Sequence, residues 1–202
     1  MHIPLSDTQE LTIMSFEDAL EMKDKNATYD RNKWLYVPDG YGEYRYILGT
    51  IGKKPLITIG INPSTAEPDK LDNTLKSVSR IADGNGFDSF IMFNVYAQRA
   101  TKPDDMDKEI NRQLHNENMK AFEWILNRSG KDFAIWAAWG NIIEKRSYLK
   151  ECVRDMVLIG NKYGAKWYKA GKVSAKGHPH HPLYLKSDTE IESFDVGTYL
   201  DK

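Results

Sequence analysis

Cysteine is all but missing from this 202-residue chain: Cys152 stands alone, so no internal disulfide can form and the fold must be held by packing. Long apolar runs are missing as well. None approaches the roughly 18 residues of a membrane-spanning helix. The opening stretch MHIPLSDTQELTIMSFEDAL lacks the charged-then-apolar order of a secretory leader. Nor is there an excess of one charge sign. A formal net charge of −1 argues against a strong general grip on nucleic acid. It leaves a local basic face open, because the field near a site follows the distribution of charge and not its sum. Together these absences point to a reducing, cytoplasmic setting with no membrane association.

What is present suits a globular protein. Hydrophobic residues make up 41% and charged residues 28% of the chain, which excludes wholesale disorder. The length suffices for one domain with its own core. Cys152 lies in the helix-like stretch YLKECVRDMVLI, where a small buried hydrophobe is the expected role. We divide the chain into an N-terminal extension, 1–43, and an α/β domain, 44–202. The extension includes a short helix over Ser15–Lys23. WLYVPDGYGEYRYILGTIG reads as two strands around a Pro-Asp-Gly turn.

From residue 54 short apolar runs alternate with amphipathic segments. PLITIGINP, FDSFIMFNVY, DFAIWAAWG and KWYKAGK read as strands. NTLKSVSRIADGNG, MDKEINRQLHNENMKAFEWILNRSG and IIEKRSYLKECVRDMVLIGNKYG read as helices closed by glycine. That order predicts a three-layer α/β/α fold around a central, mostly parallel four-stranded sheet, with a β extension at the N-terminus. In such sheets ligands gather at the carboxyl ends of the strands, where the strand order reverses. The polar residues after the strands are therefore the candidates.

GINPSTAEPD follows the first strand. Gly60 permits a turn or a close approach, and Pro63 stiffens the backbone beyond Asn62. Asn62 is then either presented to a ligand or bonded to its own loop, with Ser64 and Glu67 as a capping box. The loop has no GxxxxGK[ST] pattern and so no ATP-type phosphate cradle. Asp72 and Thr74 suit a helix N-cap and could face the same cleft. Asn94 ends an apolar run, where a buried amide is costly unless bonded. Arg99 could meet a phosphate or simply be solvated. Trp139 and Gly140, followed by Asn141, could offer an aromatic face with room for a ligand, although a core role is common for tryptophan and Trp136 is the expected core packer. GHPHHPLYL holds three of the five histidines. His178 and His180 would share a strand face and suit two metal ligands, but no Asp, Glu or Cys in the segment completes a set, so neither metal nor cofactor is expected. One histidine acting on a ligand as donor or acid is the simpler use.

NPSTA, D-x-T, a strand-end Asn with a downstream Arg, AWG and HPLYL occur in that order, within a match that covers roughly residues 44–186. On these blocks the chain is identified as a member of the bacterial family called domain of unknown function 1643. The same blocks resemble those of the uracil-DNA glycosylase superfamily. GINPS is similar to a GINPG motif, FNVYAQRAT to a strand followed by a basic-Pro-Thr loop, IWAAWGN to an LWG-containing strand, and HPLYL to HPSPL.

This resemblance implies a glycosylase-like fold and an N-glycosidic bond hydrolase acting on a DNA base. By position, Asn62 would orient the attacking water and the Ile61–Asn62 backbone would bond the base carbonyl. Asn94 would read the base edge, and His181 would donate toward the base O2 as charge builds there. Pro182 and Leu183 would complete the segment nearest DNA, with Leu183 as a wedge, and the base would be flipped or presented unpaired. Ser64 departs from the second glycine of GINPG, and no aspartate stands at Asn62. HPHHPLYL admits two registers, which place either His178 or His181 in the key position; the HPLYL pattern favours His181. The partner implied is nucleic acid or a nucleotide, and a basic rim of Arg99, Lys102, Lys172 and Lys176 would fit DNA. The same pocket could also serve a non-catalytic binding module, or an enzyme acting on a free or modified nucleotide.

Overall fold

The computed structural model describes residues 1–5, 11–130 and 133–201. Its elements follow from the apolar patterning. Strand β3 (Pro55–Gly60) and strand β4 (Ser89–Asn94) are buried nearly throughout, as expected of central parallel strands covered on both faces. They pair in parallel with Gly60 opposite Asn94, so the two strand ends of interest lie side by side. Strand β5 (Ala134–Ala137) pairs in parallel with the other edge of β3, and β6 (Lys166–Ala170) pairs in parallel with β5. The expected start of that third strand, Asp132, lies outside the described residues.

The four parallel strands are the middle of a larger sheet than expected. Strands β1 (Trp34–Val37) and β2 (Ile47–Thr50) form an antiparallel pair that joins β4, and β7 (Ile191–Ser193) adds an antiparallel edge beyond β6. The sheet is therefore seven-stranded, in the order β1-β2-β4-β3-β5-β6-β7. The expected domain boundary after residue 43 falls inside the β1–β2 connection, although both strands belong to this one sheet. β7 was missed because its three residues, Ile-Glu-Ser, are too short to carry a period-2 pattern.

Alternate residues along each strand point to opposite faces. Leu56, Phe90, Met92 and Trp136 pack beneath α2 (Asn73–Gly84), whose Leu75, Val78, Ile81 and Ala82 form a stripe at helical spacing. Ile57, Ile59, Phe93 and Ile135 pack on the other face, under α3 (Arg112–Arg128), α4 (Tyr148–Lys162) and α1 (Phe16–Glu21). The result is a three-layer sandwich. Cys152 lies within the second of these clusters, where burial pushes its thiol up to about 12 and keeps it unreactive.

Two helices start later than their patterning suggests. Asn111 caps α3, accepting from the Leu114 N–H at 3.1 Å. The preceding Asp107 is held instead by Tyr96 at 2.6 Å and Gln98 at 2.7 Å. Residues Gly140–Glu144 form a separate 3₁₀ turn, and α4 begins at Tyr148. Helix α5 (Val196–Leu200) closes the fold against the α3/α4 layer. No helix among the described residues is long and apolar enough to cross a membrane.

Because α2 leads from β3 to one side and α3 returns past β3 to β5 on the other, the strand order reverses between β3 and β5. The crevice at that point is where the sheet geometry places a ligand.

Candidate functional site

A cavity of about 410 Å³ opens at the carboxyl ends of β3 and β4. Its walls come from the loop after β3 (Ile61, Asn62, Pro63, Ser64), the start of α2 (Asp72, Asn73, Thr74), the end of β4 (Asn94) and the His-Pro segment (His181, Leu183, Tyr184). That volume lies within the roughly 300–1,000 Å³ typical of small-molecule sites.

Asn62 is held in place by its own loop. Its amide nitrogen donates to the carbonyls of Pro63 at 3.0 Å and Ala100 at 2.7 Å. Two carbonyl partners require the NH₂ group on that side, which leaves Oδ1 as a fixed acceptor without a partner among the described residues. The capping box does not form. Ser64 donates instead to the Thr101 hydroxyl at 3.3 Å, and Asp72 caps α2 by accepting from the Leu75 N–H at 2.9 Å.

Asn94 differs from Asn62 in a telling way. Its backbone carbonyl accepts from Asn118 at 2.9 Å, yet both Nδ2 and Oδ1 are buried without a hydrogen-bond partner among the described residues. A buried amide with neither end paired costs about 1–3 kcal/mol per group. Gly60 provides the room, since a β-carbon there would stand 3.2 Å from Asn94 Oδ1 and 2.4 Å from the Met92 methyl.

His181 reaches the cavity because Gly140 seats it. Gly140 has φ +64, and a β-carbon on it would lie 3.1 Å from the His181 Cβ. The Gly140 N–H donates to the Pro179 carbonyl at 3.0 Å, and Ser77 of α2 donates to the Pro182 carbonyl at 2.8 Å. The Leu183 N–H donates to Nδ1 at 3.4 Å, so Nε2 carries the proton of the neutral ring. Burial pulls this imidazole down to about 4, with the Asp72 charge opposing. His181 is therefore a neutral donor at physiological pH.

Several expected site residues stand elsewhere. Arg99 is neither a phosphate contact nor solvated: it is fully buried, bonded to the Ser64 carbonyl and, at 2.8 Å, to the Tyr36 hydroxyl, with its guanidinium 4.3 Å from the Tyr41 ring centre. Trp139 presents no face to the cavity. It is buried like Trp136 and donates to Tyr199 at 2.9 Å. Asn141 is exposed, Pro182 is buried beside α2, and Gly60 and Gly140 shape the walls without lining them. Of the expected rim, Lys102 and Lys172 are exposed, while Lys176 pairs with Glu144.

His178 belongs to another cavity, of about 290 Å³, with Glu144, Lys176 and Tyr199. No strand forms at 178–180, and the pair of shared-face metal ligands does not arise. His178 meets Tyr199 at 2.9 Å and Glu144 at 3.2 Å. The two registers of the His-Pro segment thus resolve into two histidines in two places.

The residue that sequence reasoning missed is Arg45. It lines the first cavity while being only 1% exposed, and among the described residues its guanidinium makes one hydrogen bond, from Nη1 to the Ala66 carbonyl at 3.2 Å. No local signal was present, since alternation in Glu43-Tyr44-Arg45-Tyr46 places Arg45 with Glu43 on the face opposite the tyrosines, as a solvated arginine would be. Burial, then the neighbouring charge of Arg99, draws this guanidinium down to about 9, which leaves it cationic at neutral pH.

This arrangement defines a mostly parallel α/β protein with a polar cavity at its strand ends. The family described as "Protein of unknown function (DUF1643)" matches residues 45–183, and the chain belongs to it. No curated protein and no solved structure matches the chain.

Proposed function

We propose that the protein recognises a nucleobase in the cavity at the β3 and β4 ends and hydrolyses its N-glycosidic bond, a DNA base being the first candidate. The observation that carries this reading is Asn94. Its buried amide offers one donor and one acceptor side by side with no partner among the described residues, the pattern an amide uses to read a base edge. His181 Nε2–H supplies a neutral donor to a base oxygen. As the C1′–N bond breaks, its electron pair moves into the base, and a donor placed at that oxygen stabilises the developing charge. The water oxygen bonds to C1′ and loses one proton to solvent, the departing base anion takes one proton from solvent, and free base and sugar hydroxyl result. Asn62 Oδ1 can accept a hydrogen bond from that water and orient it, but an amide cannot take its proton. Asp72, the carboxylate of the cavity wall, is engaged as a helix cap. The reaction therefore runs by positioning and leaving-group stabilisation rather than strong general base catalysis.

A free or single-stranded nucleotide is the second reading, favoured by a specific observation. Arg99 is buried and Lys176 is paired beside the other cavity, so two of the four cations expected at a DNA-binding rim are absent from it. Incubation with oligonucleotides carrying uracil, mismatched thymine or oxidised pyrimidines, and with the corresponding free nucleosides and nucleotides, separates these readings. An abasic or free-sugar product that falls at least about 100-fold in Asn62→Ala supports hydrolysis. Retained binding with no product from any substrate replaces it with a non-catalytic binding module.

A further inference from the structure

The cavity wall holds a charge arrangement that base recognition leaves unexplained. Arg45 and Arg99 sit together in the interior, both donating to the carbonyl of Ala66, Arg45 at 3.2 Å and Arg99 at 3.3 Å. Among the described residues neither guanidinium makes an ion pair with a carboxylate. Two cations removed from water with no counter-charge in contact cost several kcal/mol each, and native interiors normally pair such groups. Arg99 is tied by further bonds to Ser64 and Tyr36. Arg45 is not: its Nε and Nη2 are buried without a partner among the described residues. Those two nitrogens form the side-on fork of a guanidinium, the edge that binds the oxygens of a carboxylate or phosphate in two parallel hydrogen bonds.

We propose that Arg45 is an anion subsite of the cavity and takes a phosphate group of a nucleotide ligand. The start of α2 supports the same sign of charge, since Asn73 and Thr74 bring the positive end of a twelve-residue helix to the same cavity. Asp72 is the opposing charge at that end, and its carboxylate is held by the Leu75 N–H. Arg99 donates to the same carbonyl and adds a second positive charge near Arg45. The existence of the subsite rests on Arg45. The identity of its anion as a nucleotide phosphate rests on the nucleobase reading above.

The test is binding to the full chain, by calorimetry, of four probes: inorganic phosphate, the deoxynucleosides, their 5′-monophosphates and a single-stranded oligonucleotide. Arg45→Met removes the charge at similar length and leaves the Ala66 carbonyl bonded to Arg99, so the variant is expected to fold. Arg45→Lys keeps the charge without the fork and serves as the second variant. The expected result is that monophosphates bind about 10- to 100-fold more tightly than nucleosides to the wild type, as charge-assisted bonds allow. The preference disappears in Arg45→Met and falls to an intermediate value in Arg45→Lys, each read as the ratio of monophosphate to nucleoside affinity within the same variant. Arg45-dependent binding of the oligonucleotide but not the monophosphates assigns the anion to a phosphodiester and sustains the subsite. Arg45-dependent binding of inorganic phosphate with no binding of any nucleoside sustains the subsite and sinks the nucleobase reading. Nucleosides bound as tightly as monophosphates by the wild type, or no probe bound in an Arg45-dependent way, overturns the subsite.

Discussion

The segment His178–His181 sends one histidine to each of two cavities, and the two are wired in opposite ways. Around His178 the polar groups form a closed chain. Trp139 donates to Tyr199, Tyr199 meets His178, His178 meets Glu144, and Glu144 takes Lys176. Around His181 the chain is left open. Its Nε2, the Asn94 amide, Asn62 Oδ1 and the Arg45 fork have no protein partner among the described residues. A closed polar network stabilises and orients the loop that carries it. An open one costs stability and is retained where something else completes it. The difference teaches where the function lies more clearly than cavity size does, because the two volumes, about 290 and 410 Å³, are of similar order.

Breaking the closed side gives the largest expected effect on stability. Trp139→Ala removes a fully buried ring and the bond to Tyr199, and should cost about 3–5 kcal/mol in urea unfolding. Filling the open side gives a smaller effect of the opposite sign. Asn94→Leu replaces an unpaired buried amide with a hydrophobe of the same branched skeleton, its extra bulk directed into the cavity, and should raise stability by about 1–2 kcal/mol while abolishing nucleobase binding. A variant that loses stability would mean that the amide is paired after all, and the contrast between the cavities would fail.

The third contrast is a titration. His181 is held near 4 in the folded protein against an ordinary value of about 6.5. Between those values the unfolded chain binds a proton that the folded chain does not. The His181 contribution to stability is therefore complete above about pH 6.5 and declines as pH falls toward 4. An NMR titration of the His181 ring should show a midpoint near 4. Asp72→Asn, which keeps a good helix cap, should lower it further, because the Asp72 charge is what opposes the shift. A midpoint near 6.5 would mean that the ring is solvated and not held in a desolvated wall of the cavity, and the contrast between the two cavities would fail.

Much of the frame was legible from residue patterning. The four parallel strands, the hairpin before them and the helices α2, α3 and α4 follow from apolar runs alternating with amphipathic stretches. The rule placing ligands at strand ends located Asn62, Asn94 and His181 in one cavity. Misplacements arose where a side chain's partner is distant in sequence. Arg99 looks like an exposed cation in FNVYAQRAT, yet its hydroxyl partner Tyr36 lies 63 positions away. Trp139 looks like a ligand platform in AWGN, yet Tyr199 claims it from 60 positions downstream. Arg45 escaped notice because the motif blocks lie after it.

By itself, then, the sequence determined the layers, the central strands and the loops that border the cavity, because hydrophobic period and turn chemistry are local properties of the chain. Which histidine is tied and which is free, which arginine is braced and which is bare, only the tertiary structure decided. Polar groups find their partners across distant segments, and whether a buried donor is paired depends on all the neighbours that folding brings to it.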